Sequence, residues 1–212
     1  MYKQVQSPRM QTLMRRISTD HAFVVMLLSM TAAGFGLYWS ARLAAADFLE
    51  QRGDTKSLML AIALAPGNED YLRRAAEVAD EIGTDGSAYY RRALSVDPYA
   101  GQDWLRLGFD AERDGRYQQA EQDLLQAARL DRSFEPRWAL ANFYFRRGDP
   151  AKALRWIRQS LLIEEGDLTP AFRLCWEVAN DPIRISRDAL PNRHSVLEQY
   201  QAFLLNAKPG NK

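Results

Sequence analysis

The sequence is poor in the residues that carry chemistry. It has one cysteine, Cys175, and two histidines, His21 and His194, in 212 residues. A lone cysteine forms no intramolecular disulfide, and without C-x-x-C or cysteine–histidine spacing no zinc site is written into the chain. This usage leaves the redox compartment open. The histidines lie at opposite ends of the sequence with no second histidine or cysteine at ligand spacing, so neither a metal nor a catalytic base is indicated. The pairs Asp80–Glu81 and Glu164–Glu165 have the pattern of solvated helix faces. No phosphate-binding loop, dinucleotide fingerprint or G-x-S-x-G elbow is present. Formal net charge is only +1, which supplies no global field for nucleic acid. The expectation is a protein that is not an enzyme, with no cofactor, no metal and no nucleic-acid partner. Cys175 shares an apolar stripe with Phe172 and Trp176 and reads as a small core residue.

What the chain does have is a globular balance of 47% hydrophobic and 26% charged residues, and one long apolar run. Residues 22–41, AFVVMLLSMTAAGFGLYWSA, carry no charge over a length that crosses a hydrocarbon core as helix. Ser29, Thr31 and Ser40 can bond back to the helix, and Tyr38–Trp39 suit an interfacial belt. The run predicts a transmembrane helix. A cleavable signal peptide competes, since basic residues precede the run and Ala44–Ala45–Ala46 follow it. Lys3, Arg9, Arg15 and Arg16 lie before the span, against Arg42, Arg52 and Lys56 after it, so residues 1–21 are expected in the cytoplasm and the remainder outside. Met10, Leu13, Met14 and Ile17 recur at helical spacing, so the tail either lies on the membrane surface or extends the span. Beyond residue 41 stand 24 basic and 26 acidic residues, a nearly neutral remainder.

That remainder is organised around residues 101–133, GQDWLRLGFDAERDGRYQQAEQDLLQAARLDRS. Trp104, Leu107 and Gly108 stand at W-x2-L-G spacing, Ala120 and Ala127 fall on a second helix, and Asp131 closes the unit. The stretch resembles the tetratricopeptide repeat (TPR), a helix–turn–helix unit. The resemblance implies an all-α solenoid of about three to four repeats over residues 42–167, preceded by one transmembrane helix and closed by C-terminal helices over 168–212.

The flanking stretches are worn copies. Residues 42–52 continue as helix to Gly53, Asp54 caps the next helix, and no Gly/Ser-rich or Pro-rich linker separates span from domain, so the juxtamembrane helix serves as the first half of the first repeat. Asn68 caps a helix through Ile82, and a second follows residues 83–86 to Pro98. Trp138 follows Trp104 at a spacing one position longer than that from Ala120 to Ala153, which predicts a residue lost between tryptophan and second helix in the next copy. Asp149 is its N-cap with Pro150 at the first helical position. Past Glu165 the pattern fades, Thr169–Pro170 opens a helix that Asp181–Pro182 ends, and residues 191–206 form a capping helix. Residues 207–212 look frayed.

First helices of TPR repeats line the inner groove, so the resemblance implies Gln102, Leu105, Arg106, Phe109, Glu112 and Arg113 as groove residues, with Asn142, Phe143, Arg146 and Arg147 from the next repeat. A merely solvated helix face is the alternative for these arginines. As a groove they suit carboxylates of an acidic or C-terminal peptide, and the aromatics hold apolar side chains. Phe109 occupies the place where the chaperone-tail clamp of such domains has asparagine, so that clamp is not reproduced. The expected function is a membrane-anchored interaction module of a bacterial-type inner membrane, recruiting or scaffolding a protein in secretion, envelope or exopolysaccharide assembly. The alternative is an accessory subunit held in a larger membrane complex by its helix, with Ala32, Ala33, Gly34 and Gly36 as packing face.

Overall fold

The computed structural model describes the backbone of residues 8–206 and the side chains of residues 21–206. The tail residues Met10, Leu13, Met14 and Ile17 and the C-terminal residues 207–212 therefore lie outside the described side chains. Eleven helices and no strand are found among the described residues. They divide into two compact units, one ending at Tyr71 and one beginning at Leu72.

The first unit is built on α1 (Pro8–Glu50), a single helix that continues through the uncharged run without a break. Ser29 Oγ donates to the carbonyl of Val25 at 2.8 Å and Thr31 Oγ1 to that of Leu28 at 2.9 Å. Both hydroxyls are thus satisfied within the helix. The window that is apolar enough to span a membrane has no buried residue. The chain then turns at Gly53, whose φ of 71° favours glycine, into α2 (Thr55–Leu64). Asp54 caps α2 by accepting from the Ser57 amide at 2.9 Å. Ala46, Leu58 and Ile62 are buried, and the last turns of α1 pack along α2 as a helical hairpin. The last turns of α1 are therefore the first half of the first hairpin, with no linker between them and the apolar run. The Tyr71 hydroxyl donates to Asp47 of α1.

The second unit repeats the hairpin. Its helices are α3 (Glu69–Glu81) and α4 (Ser87–Val96), α5 (Gly101–Arg113) and α6 (Tyr117–Leu130), α7 (Phe134–Arg146) and α8 (Pro150–Leu161), then α9 (Thr169–Ala179), α10 (Pro182–Asp188) and α11 (His194–Asn206). Two local devices recur. A left-handed residue sits between the two helices of each hairpin: Gly53, Gly83, Gly115, Gly148 and Asn180. An Asx turn opens each hairpin after the first, with Asn68, Asp97, Asp131 and Asp167 accepting from the amide two residues on, at 2.8–3.0 Å. Asp149–Pro150 and Asp181–Pro182 start α8 and α10 in the same way, each aspartate capping a helix with proline in its first turn.

Two sequence expectations change. Asp181–Pro182 does end α9, but it also begins α10, so the hairpin pattern continues to residue 188 in shortened form instead of fading. The register past Trp138 is settled as well: α5 and α7 have equal length, and their turn glycines, Gly115 and Gly148, keep the same spacing as Ala120 and Ala153. No residue is lost after the tryptophan. Trp138 is displaced by one position and stands in the place of Leu105, while Arg137 takes that of Trp104.

Packing follows the small residues. Ala120, Leu124, Ala127, Leu140 and Ala153 are wholly buried between α5, α6, α7 and α8. A further cluster around Ile157, Phe172, Cys175, Ile185 and Val196 joins α8 to the three last helices. The apolar face expected on α11 is buried there through Val196 and Tyr200, with Leu197, Phe203 and Leu204 at its edge. Burial pushes the Cys175 thiol up to about 12, in keeping with a core residue and not a nucleophile.

Candidate functional site

Positions 102, 105, 106, 109, 112 and 113 recur at helical spacing and form one face of α5. In the register set by the turn glycines, the matching face of α7 holds Glu135, Trp138, Asn142, Phe145 and Arg146. These first helices are neighbours, and an ion pair bridges them: Arg146 donates from Nε and Nη2 to the two carboxylate oxygens of Glu112, both at 2.8 Å. The bidentate bond holds the guanidinium pKa above its ordinary value, with burial opposing. The two helices also carry the half-buried rings of Phe109, Trp138 and Phe145, and Trp138 stacks on Phe134 with centroids 5.6 Å apart.

Not every expected groove residue reaches this face. Leu105 is 1% exposed and Phe143 is 2% exposed, and both belong to the core between α5, α6, α7 and α8. The one-position displacement of Trp138 explains the misplacement of Phe143: counting from the tryptophan shifts every residue of α7 by one, onto the neighbouring face. Arg147 stands at the turn, where its guanidinium lies 3.7 Å above the Tyr117 ring. Gln102 is exposed at the other end of α5 and donates to Asp131 at 2.9 Å and Glu135 at 3.3 Å. Asn142 takes the position of Phe109 in the next repeat and donates to the Trp138 carbonyl at 2.9 Å.

The charges on the face are largely cancelled. Arg113 pairs with Asp110 at 2.7 Å, and Arg146 with Glu112. Burial raises the pKa of Asp110, with Arg113 opposing. Arg106 is exposed and takes part in neither pair. A face prepared for an acidic tail would leave its cations unpaired, so the partly exposed rings, which have no ion pair to displace, are the feature better suited to a partner. Trp138 and Phe145 are the face residues that counting by tryptophan hides. The G-D-P turn at Gly148 is the sequence signal that reveals them.

Asp103 on α5 is 1% exposed and accepts from Arg73 of α3 at 2.9 and 3.3 Å, tying the first helices of two successive hairpins together. A cleft of about 480 Å³ lies between α4, α5 and α6, lined by residues that include Arg91, Trp104, Arg116 and Asp123. Asp123 is buried and accepts from Gln119 at 2.8 Å, and burial raises its pKa. Among the described residues, no group of three or more histidine, cysteine, aspartate or glutamate side chains could hold a metal ion.

The hairpin architecture is shared with known proteins. The structure matches that of MamA with a TM-score of 0.60 at 15% identity, covering 84% of this chain and 99% of MamA. It matches PilF of Pseudomonas aeruginosa with a TM-score of 0.55 at 20% identity, covering 84% of this chain and 80% of PilF. Both are TPR-repeat proteins, and the chain has the TPR-type helical-hairpin fold. No family model and no curated protein matches the sequence.

Proposed function

We propose that this protein is a membrane-anchored interaction module, held at a bilayer by residues 22–41 and recruiting a protein partner on the face of α5 and α7. The TPR-type fold supports a protein-binding scaffold, since function on such a fold resides in its exposed helix faces. The observation that carries the reading is the set of partly exposed rings Phe109, Trp138 and Phe145 on the two first helices that the Glu112–Arg146 pair bridges. Aromatic side chains held rigid at the edge of a core are typical binding anchors. The partner segment that fits brings apolar side chains to these rings and one carboxylate to Arg106.

The proposed arrangement places residues 1–21 in the cytoplasm, residues 42–167 and the closing helices 168–212 outside, and the work in envelope assembly, secretion or exopolysaccharide export at a bacterial-type inner membrane. Anchoring raises effective concentration, so a modest affinity suffices. The test is photo-crosslinking of the full chain in its own membrane from position 109 or 145, with position 122 on α6 as control. Capture of one defined protein from 109 and 145, lost on Phe145→Glu in the 109 probe, supports recruitment by this face. Equal capture from 122, or capture abolished by Gly34→Leu and untouched by Phe145→Glu, refutes it in favour of a subunit held through its membrane helix. Digestion of the repeats only from the cytoplasmic side refutes the topology.

A further inference from the structure

The first hairpin differs from the others in what it shows to solvent. The second helices α4, α6 and α8 expose Arg91, Arg129 and Arg155, whereas α2 exposes Met59, Leu60 and Ala63. Leu60 is 56% exposed. No charge occurs from Ser57 to Asn68. On α1, the stretch from residue 22 to 46 contains a single charge, Arg42, whose guanidinium lies 4.8 Å over the Trp39 ring. An arginine folded onto an interfacial tryptophan marks headgroup depth.

The heights follow from helix geometry. At about 1.5 Å per residue, Asp47 lies roughly 9 Å beyond residue 41 along α1. Because α2 returns antiparallel beside α1, Leu60 and Ala63 come level with about residues 45 and 42. A headgroup layer is roughly 5–7 Å deep on each side of the hydrocarbon. The exposed apolar residues of α2 therefore fall at the depth of the headgroups, and along α1 and α2 the charges resume above it with Asp47 and Lys56.

We infer that the first hairpin is seated in the lipid headgroup layer, with Leu60 and Ala63 of α2 in contact with lipid, so that the protein rests on a two-helix base and not on one helix. The occupant is the phospholipid surface because the face continues the apolar surface of the spanning helix at the depth where that helix leaves the hydrocarbon. This inference rests on the anchor reading above.

The test uses the full chain in phosphatidylcholine–phosphatidylglycerol vesicles, spin-labelled at single cysteines introduced by Phe35→Cys, Leu60→Cys, Ala63→Cys and Gln122→Cys. Native Cys175 is wholly buried and stays in place, its silence checked on the unsubstituted chain. The reading is the ratio of collision rates with oxygen and with a water-soluble nickel chelate. Labels at 60 and 63 are expected several-fold above the label at 122 and below that at 35. A ratio at 60 and 63 equal to that at 122 overturns the inference and leaves the anchor standing if 35 is lipid-exposed. Shielding of 60 and 63 from both reagents marks a protein contact and also overturns it. Water exposure at 35 removes the anchor itself, and the seated base falls with it.

Discussion

Gly108 is where the central hairpin closes most tightly, and replacing it with alanine tests how the two helices are joined. A Cβ at this position would stand 2.7 Å from both Cγ and Cδ2 of Leu124 and 3.3 Å from its backbone nitrogen. Leu124 is wholly buried, flanked by Ala120 and Ala127 that are equally enclosed, so the leucine has no outward path. Overpacking of an enclosed core costs about 1–3 kcal/mol, and the upper part of that range applies here. Alanine in a helix interior regains about 1 kcal/mol over glycine. The net expectation for Gly108→Ala is a loss of about 2 kcal/mol, or roughly 4–8 °C in melting temperature for a chain of this size. Urea and thermal unfolding of the detergent-solubilised chain, followed by far-ultraviolet circular dichroism, measure it. Leu124→Ala alone costs about 2–5 kcal/mol through its cavity. The new methyl at position 108 partly fills that cavity. The double variant is therefore expected to fall short of the summed losses by about 1 kcal/mol or more. If Gly108→Ala raises stability, or the two losses simply add, the close approach of α5 and α6 is not what that glycine serves.

Other perturbations test separate parts of the structure. Asp123→Asn is expected to raise the urea midpoint at neutral pH. Burial raises the folded pKa of Asp123, so its stabilising contribution is present at low pH and is lost as pH rises through that pKa. The advantage of the variant must shrink toward the ordinary value of 3.8, and a constant offset from pH 3.5 to 7 contradicts the assignment. Asn180 holds φ at 46°, so Asn180→Gly is expected to leave the melting temperature level or raise it, and Asn180→Val to lower stability by about 1–2 kcal/mol. Equal melting curves for the two substitutions refute the left-handed turn. Asp103→Ala removes the buried carboxylate from its partly exposed partner Arg73 and is expected to cost about 1.5–3 kcal/mol, read from unfolding midpoints. A loss under about 0.5 kcal/mol, as at ordinary surface positions, shows that the pair is not holding α3 to α5.

Local chemistry and periodicity made much of the architecture legible. The long apolar helix α1 followed from a charge-free run, and the caps at Asp54 and Asp149 from residue types that satisfy free amides. The central hairpin followed from Trp104, Gly108 and Ala120, whose spacing is that of two packed helices. The direction of the first hairpin was also written locally, because nothing flexible stands between the apolar run and Gly53. The register of α7 was less legible. Trp104 and Trp138, one repeat length apart, look like the same position in successive copies, yet a large ring can sit one place along a helix and still find a partner, as Trp138 does on Phe134. A left-handed glycine cannot be moved in this way, so the turns and not the rings keep the period.

The charges of the candidate face were the least legible part. Arg113 and Arg146 look available on a helical wheel, but Asp110 and Glu112 engage them, the latter across the gap between two successive hairpins. The chain by itself determined where helices start, turn and stop, because those choices depend on side chains within a few residues. Only the tertiary structure decided that Arg146 is paired with Glu112 and which rings stay partly exposed, because both depend on the neighbouring hairpin, whereas the Arg113–Asp110 pair lies within α5.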